Sequence, residues 1–154
     1  MRILSIDPSS AKAEKSTSGI VLLNNARLEE YWVVPSGFKN IDRWYEENHS
    51  KLNFDVVVIE EFEVRDNDKS KDNTVLQTIA HFQSYFPEAI LQRNAGYQSD
   101  IPDALLKKLD LWKFDKSHHN DVRAAARLGL FWAMRNDIEE VIHDIGKVVV
   151  GDNN

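Results

Sequence analysis

The chain has 154 residues and no cysteine, so its length suits one domain with a sizeable core, and disulfides and a cysteine-based zinc site are excluded. No segment approaches the roughly 18 apolar residues of a membrane span. The net charge of −6 is unusual for a protein that binds nucleic acid, although basic residues concentrate between positions 103 and 127. We expect one cytoplasmic domain, residues 1–154, with no signal peptide and no contact with a membrane.

The order of the predicted elements indicates a sheet covered by helices. Five apolar or β-branched runs predict strands, over residues 2–7, 19–23, 27–34, 55–60 and 89–91. Apolar residues at helical spacing predict helices over residues 40–51, 74–86, 101–109 and 118–135. The tail, residues 138–150, is ambiguous and could form a short helix followed by a strand or coil. An antiparallel meander and two strands reached through crossover helices predict an α/β fold with a five-stranded mixed sheet flanked by helices.

Two carboxylates stand at the ends of predicted strands. Asp7 ends the first run, and Glu60 ends the continuously apolar run 56–59. Side chains at the carboxyl ends of strands face the crevice where open α/β sheets bind ligands. An Asx-type turn at Asp7 and a solvated strand end at Glu60-Glu61 are the plainer explanations. Because strand side chains alternate, one of Glu60 and Glu61 faces the sheet surface, and Glu60 is favoured since it directly follows the apolar run.

The start of the last predicted helix carries a second pair of candidate ligands. His118 and Asp121 are three residues apart and share one helix face, whereas His119 and Asn120 point elsewhere. Helix capping is the plainer explanation for this pair. However, both pairs of residues can converge on one end of the sheet. Carboxylates at strand ends, joined by a pair from one helix face, favour divalent-metal chemistry on phosphates and therefore a nuclease.

Three stretches of the sequence resemble motifs of the RuvC-type Holliday junction resolvases, which belong to the RNase H-like superfamily. Residues 3–10 (ILSIDPSS) resemble the N-terminal strand motif, and residues 58–62 (VIEEF) resemble the central-strand motif. Residues 118–126 (HHNDVRAAA) resemble the C-terminal helix motif, in which an Asp or His is followed three residues later by an Asp. The three motifs occur in the order of the family and span most of the chain.

The chain also departs from the family pattern. Ser5 and Ser9 stand where glycine is usual, and the loop 7–19 is longer than in the bacterial pattern. The aromatic residue that stacks at the junction centre normally lies three residues past the catalytic Glu, where this chain has Glu63, and Phe62 lies one position earlier. In combining divergent loops with a retained site, the chain resembles the shorter resolvases of phages, which trim branched DNA. A phage-encoded protein would act in the host cytoplasm.

The resemblance implies an RNase H-like fold and cleavage of Holliday (four-way) junctions and other branched DNA into products with 5′-phosphates. Two Mg²⁺ or Mn²⁺ ions, roughly 3.5–4 Å apart, would clamp the scissile phosphate. Asp7 would bridge both ions, Glu60 would bind one, and Asp121 with His118 would bind the other. Because imidazole suits later transition metals better than Mg²⁺, we expect Mn²⁺ to support activity at least as well as Mg²⁺.

The implied partners are branched DNA and a second copy of the chain. A four-way junction is two-fold symmetric, so paired cleavage implies a homodimer. The helix predicted over residues 74–86 is the expected interface, through Leu76, Ile79, Ala80, Gln83 and Phe86. We expect contacts to DNA from one aromatic and six basic residues, namely Phe62, Lys69, Lys71, Lys107, Lys108, Lys116 and Arg123.

Three other functions could use the same residues. Another RNase H-like nuclease, acting on flaps or RNA–DNA hybrids, would need the same four side chains. A phosphate-binding module of the actin-like ATPase type also opens with a strand, an Asp and a small-residue loop, but residues 8–12 contain no glycine. A catalytically inactive homologue is the third alternative, and the intact set of four candidate ligands argues against it.

Overall fold

The five predicted strands form one sheet in the computed structural model, which describes residues 1–12, 15–62, 73–115 and 119–151. The strands are β1 (Arg2–Asp7), β2 (Thr17–Asn24), β3 (Arg27–Pro35), β4 (Val56–Glu60) and β5 (Ile90–Gln92). Their order in the sheet is β3-β2-β1-β4-β5. β1 and β3 run antiparallel to β2, whereas β4 runs parallel to both β1 and β5. The predicted mixed sheet is therefore confirmed.

Helices cover both faces of the sheet. They are α1 (Ile41–Asn48), α2 (Thr74–Tyr85), α3 (Tyr97–Asp100), α4 (Asp103–Lys108), α5 (His119–Arg135) and α6 (Glu139–Gly151). Short 3-10 turns flank α1, at Gly37–Asn40 and His49–Lys51. Within the described ranges, no helix has the length and apolarity that crossing a membrane requires.

The tail forms a continuous helix, so the expectation of a strand or coil after a short helix was wrong. Ile138, Val141, Ile145 and Val148 recur at helical spacing, and all four pack against the core beside α5. The β-branched run 148–150 suggested a strand, but burial of one helical face outweighs that local preference.

Two hydrophobic clusters lie on opposite faces of the sheet because side chains alternate along each strand. Ile3 and Val58 belong to the cluster beneath α5, which we call the α5 face. Leu4 and Ile59 belong to the cluster beneath α1 and α2, which we call the aromatic face. On the aromatic face the large buried rings are Trp44, Phe82 and Phe86.

Small residues at the contact let helix α5 lie directly against the strands. A Cβ atom added at Gly129 would lie 3.1 Å from Cβ of Ser5 and 3.2 Å from Cδ1 of Leu23. One added at Gly19 would overlap the main-chain oxygen of Asp121. Ser5, which departs from the glycine of the family motif, fits because its hydroxyl donates a 2.6 Å hydrogen bond to the carbonyl of Ala125. The position of the first turn of α5 is therefore fixed by backbone contact with β2.

Part of the apolar surface of α2 is buried against the sheet of its own chain. Ile79 and Phe86, which the sequence placed in a dimer interface, are each only 5% exposed and pack in the aromatic face. That part of the interface prediction was wrong, because a helix over a sheet must bury one full stripe of side chains. Leu76 and Ala80 remain exposed and Gln83 remains half-buried on the outer side.

Candidate active site

Asp7 and Glu60 lie side by side at the carboxyl ends of the neighbouring strands β1 and β4. The parallel register of β1 and β4 pairs Ile6 with Ile59, so the next residue of each strand reaches the same edge. Burial, a hydrogen bond with the Glu60 carboxyl and the negative charges of Glu60 and Asp121 raise the pKa of Asp7 well above its usual range. The crowding of these carboxylates therefore disfavours the ionised form of Asp7.

Asp121 joins this pair because of how α5 meets β2. Asp7 pairs with Gly19 across β1 and β2, and the main chain of Asp121 lies against Gly19. The hydroxyl of Thr17, the first residue of β2, donates a hydrogen bond to Oδ2 of Asp121. Three of the four ligands expected from the sequence thus lie at the same end of the sheet, near enough for the charge of Asp121 to act on Asp7. The fourth, His118, lies outside the described residues.

The adjacent glutamates have different partners. Glu60 contacts Asp7, and its Oε1 accepts a 2.5 Å hydrogen bond from Nδ2 of Asn94. Glu61 forms an ion pair with Arg93, with Nε to Oε2 at 3.1 Å. The structure therefore brings Glu60, rather than Glu61, to the acidic group.

Sequence reasoning missed Tyr97, which lies beside the acidic group. Burial and the charges of Glu60 and Asp7 raise the pKa of its hydroxyl, against the opposing effect of Arg127. Its ring packs edge-on against Phe131, with centroids 6.3 Å apart. No pattern could have found Tyr97, since it begins a four-residue helix. Asn94 follows a parallel strand, so the strand-end argument used for Asp7 could have identified it.

A concavity of about 790 Å³ opens beside Asp121. Its lining includes cationic and aromatic side chains and the first turn of α5, namely Lys113, Phe114, His119, Asn120, Asp121 and Arg123. The expectation that His119 and Asn120 point elsewhere was therefore only partly right. His119 also accepts a hydrogen bond from the main-chain N–H of Phe114 through Nδ1, at 3.3 Å.

Basic side chains surround Trp112 next to this concavity. The guanidinium of Arg123 lies 3.7 Å from the ring centroid, and the ammonium of Lys107 lies 4.7 Å from it. Nε of Arg123 also donates a 2.6 Å hydrogen bond to the carbonyl of Trp112. Lys113 borders the concavity beside Asp121 and a second one of about 440 Å³ lined with Lys107 and Trp112. The acidic chain thus carries a local basic surface beside its candidate active site.

The other residues expected to contact DNA differ in how exposed they are. Lys108 is exposed at the end of α4. Phe62 is half-buried and packs against the aromatic face, which leaves only part of its ring available for a base. Lys69, Lys71 and Lys116 lie outside the described residues.

The donor set at the strand ends fits a hard divalent cation. Asp7, Glu60 and Asp121 supply carboxylate oxygens, which Mg²⁺ and Mn²⁺ accept readily. Among residues 1–12, 15–62, 73–115 and 119–151, no three His, Asp or Glu side chains form a group that could hold a metal ion, and the fourth expected ligand, His118, lies outside these ranges. A bound cation would offset the repulsion among these carboxylates.

Comparisons with known proteins identify this fold among solved structures. Thermus thermophilus RuvC in complex with a Holliday junction substrate matches with a TM-score of 0.63 at 14% identity, over 91% of this chain and 98% of that chain. A second T. thermophilus RuvC structure matches with a TM-score of 0.62 at 15% identity, over 90% and 96%. No protein-family model and no curated protein matches the sequence. The chain therefore has the RNase H-like fold of RuvC, over about nine-tenths of its length.

Proposed function

We propose that this protein is a divalent-metal-dependent endonuclease that resolves Holliday junctions and other branched DNA, as a single nuclease domain over residues 1–154. The observation that carries this proposal is the convergence of Asp7, Glu60 and Asp121 at the strand ends of a RuvC fold. Placing carboxylates close enough to raise the pKa of Asp7 costs folding free energy unless a cation or a proton offsets their charge. A nuclease would use such a group of carboxylates to bind its metal ions.

The metal ligands in this proposal are Asp7, Glu60 and Asp121, with His118 as the fourth. When bound, two Mg²⁺ or Mn²⁺ ions would supply an activated water and neutralise charge on the leaving 3′ oxygen, giving 5′-phosphate products. The chain's own contribution is to hold the carboxylates in place before substrate arrives. Thr17 fixes the carboxylate of Asp121, and the contact at Gly19 fixes its main chain.

The basic surface beside Asp121 would bind the DNA backbone. Lys107, Lys113 and Arg123 surround or border the concavities there, and the Trp112 ring holds the cationic groups of Lys107 and Arg123 beside it. Local positive charge beside the site makes the net charge of −6 compatible with DNA binding. We expect affinity for DNA to fall steeply as the salt concentration rises.

Paired cleavage would need two sites related by two-fold symmetry. We propose a homodimer that uses the outer side of α2, where Leu76 is 39% exposed and lies in line with Ala80 and Gln83. Sedimentation of the protein at micromolar concentration tests this interface. A monomer under those conditions would remove it.

The experiment that tests the proposed function is cleavage of a labelled four-way junction in Mg²⁺ and in Mn²⁺. Linear duplex, flap and RNA–DNA hybrid substrates run alongside, with Asp7→Asn as the control. Paired symmetric nicks that disappear in Asp7→Asn would support a resolvase. Metal-dependent cutting of flaps or hybrids alone would retain the nuclease and discard the junction preference. ATP binding without cleavage of any substrate would instead favour an actin-like phosphate-binding module.

A further inference from the structure

We infer that Asn94 is a positioning residue that fixes Glu60 as a metal ligand, an inference that rests on the proposed nuclease function. Asn94 follows β5, the edge strand next to β4, and donates through Nδ2 to Oε1 of Glu60 at 2.5 Å. An amide is a neutral donor, so it orients the carboxylate without cancelling the negative charge that a cation requires. Partners of this kind orient the groups that bind metal and typically change metal affinity 10–100-fold when removed.

The pairing of β4 with β5 makes this contact specific to one of two adjacent glutamates. Glu60 pairs with Gln92 in the parallel register, and the main-chain N–H of Glu61 donates to the carbonyl of Gln92 at 2.9 Å. The two glutamates then meet consecutive residues on the neighbouring segment. Glu60 receives the amide of Asn94, whereas Glu61 pairs with the guanidinium of Arg93. The register therefore gives the neutral donor to the glutamate that also contacts Asp7.

The segment after β5 is built to hold Asn94 in place. The main-chain carbonyl of Asn94 accepts a 3.0 Å hydrogen bond from the N–H of Tyr97, and this bond closes a turn. Gly96 within that turn has φ of +86°, a left-handed conformation that glycine adopts without strain. The side chain of Asn94 is exposed, so its replacement leaves both hydrophobic clusters intact. A change in metal binding in an Asn94 variant thus reports on the contact with Glu60.

The test is Mn²⁺ binding to the full chain, measured from the free-ion electron paramagnetic resonance signal, together with cleavage kinetics. We expect Asn94→Ala to raise the Kd for Mn²⁺ about tenfold, the low end of the usual range, because the contact is exposed. KM for DNA should stay unchanged, and saturating Mn²⁺ should restore most of kcat. Glu61→Gln is the matched control and should bind Mn²⁺ like the wild type.

A double-variant cycle separates an action through Glu60 from a general structural effect. Asn94→Ala should have its full effect in the Glu61→Gln background and almost none in the Glu60→Gln background, measured at millimolar Mn²⁺. Equal effects in both backgrounds would overturn the inference, and so would an Asn94→Ala protein that binds Mn²⁺ like the wild type. The proposed function would still stand in either case if the wild-type protein cuts DNA. A wild-type protein that neither binds Mn²⁺ nor cuts DNA would overturn both.

Discussion

The two faces of the sheet are packed in opposite ways. On the α5 face, Ser5, Gly19 and Gly129 let the helix backbone approach the strands directly. On the aromatic face, large rings fill the space, as where Trp44 meets Phe82 edge-on with centroids 6.2 Å apart. Side chains in a ring-filled core can repack around a change, whereas a backbone contact cannot. The face with close backbone contact is the one whose helix carries Asp121, so we expect function to depend on it far more strongly.

The largest effect is expected from Asp7→Asn, at the edge of the sheet where the carboxylates meet. Cleavage should fall about a thousandfold or more, since metal binding provides several kcal/mol of transition-state stabilisation. The metal-free protein should nevertheless become more stable. The pKa of Asp7 is raised in the folded state, so the folded protein binds more protons than the unfolded one between the usual and the raised pKa. Wild-type stability therefore falls as pH rises through that window, and Asn removes this penalty.

Urea unfolding in a chelator, at several pH values, measures this gain. Asp42→Asn in α1 is a control of opposite sign. Hydrogen bonds from the Tyr85 hydroxyl and from His81 lower the pKa of Asp42, so its charge stabilises the fold above the usual pKa and the benefit is lost as pH falls. We expect Asp42→Asn to be slightly destabilised at neutral pH. A metal-free Asp7→Asn protein less stable than the wild type would contradict the electrostatic account of the site.

Gly19→Ala should produce the next largest effect, because it breaks the close contact without removing a ligand. The new methyl group would overlap the main chain of Asp121, so the first turn of α5 must move. A displacement of about 1 Å in a catalytic group can cost about 100-fold in rate, and we expect a loss of that size. Cleavage kinetics at saturating metal measure the loss, and circular dichroism gives the folded fraction.

Gly146→Ala provides the matched control for that substitution. Gly146 lies in α6 and a Cβ there would meet no atom within 4 Å. Alanine is favoured over glycine within a helix by about 1 kcal/mol, so this variant should be more stable and fully active. Full activity of Gly19→Ala would show that backbone contact does not fix Asp121.

A smaller effect is expected from Lys113→Ala on the basic surface beside α5. Lys113 is exposed and borders both concavities near Trp112. Loss of one phosphate contact should lower the slope of log affinity against log salt by about 1. Binding titrations of a junction at several salt concentrations measure the slope. Lys51, exposed after α1, is the control position, and Lys51→Ala with the same change in slope would show that the effect is not local.

Local patterns predicted the sheet and much of the candidate site. Apolar runs located all five strands, and Asp7 and Glu60 could be paired because the carboxyl ends of parallel strands meet at one edge. The partners of these residues could not be predicted, since they depend on the register between chain segments. Asn94 reaches Glu60 only through the pairing of β5 with β4, and Tyr97 lies in a helix of four residues. The burial of Ile79 likewise depends on which surface α2 packs against, and the apolar stripe of α2 does not show whether that surface is the sheet or a partner.

The smallest effect on activity is expected from Phe82→Leu, and it tests the comparison of the two faces most directly. Phe82 is fully buried on the aromatic face, and Phe131 is 2% exposed on the α5 face. Each change to Leu should lower the free energy of unfolding by about 1–2 kcal/mol. Only Phe131→Leu should also reduce kcat, severalfold, because the Phe131 ring supports Tyr97 beside Glu60 and Asp7. Urea unfolding and cleavage by the folded fraction measure both quantities. Equal activity losses would mean that the aromatic face supports the site as directly as the α5 face does.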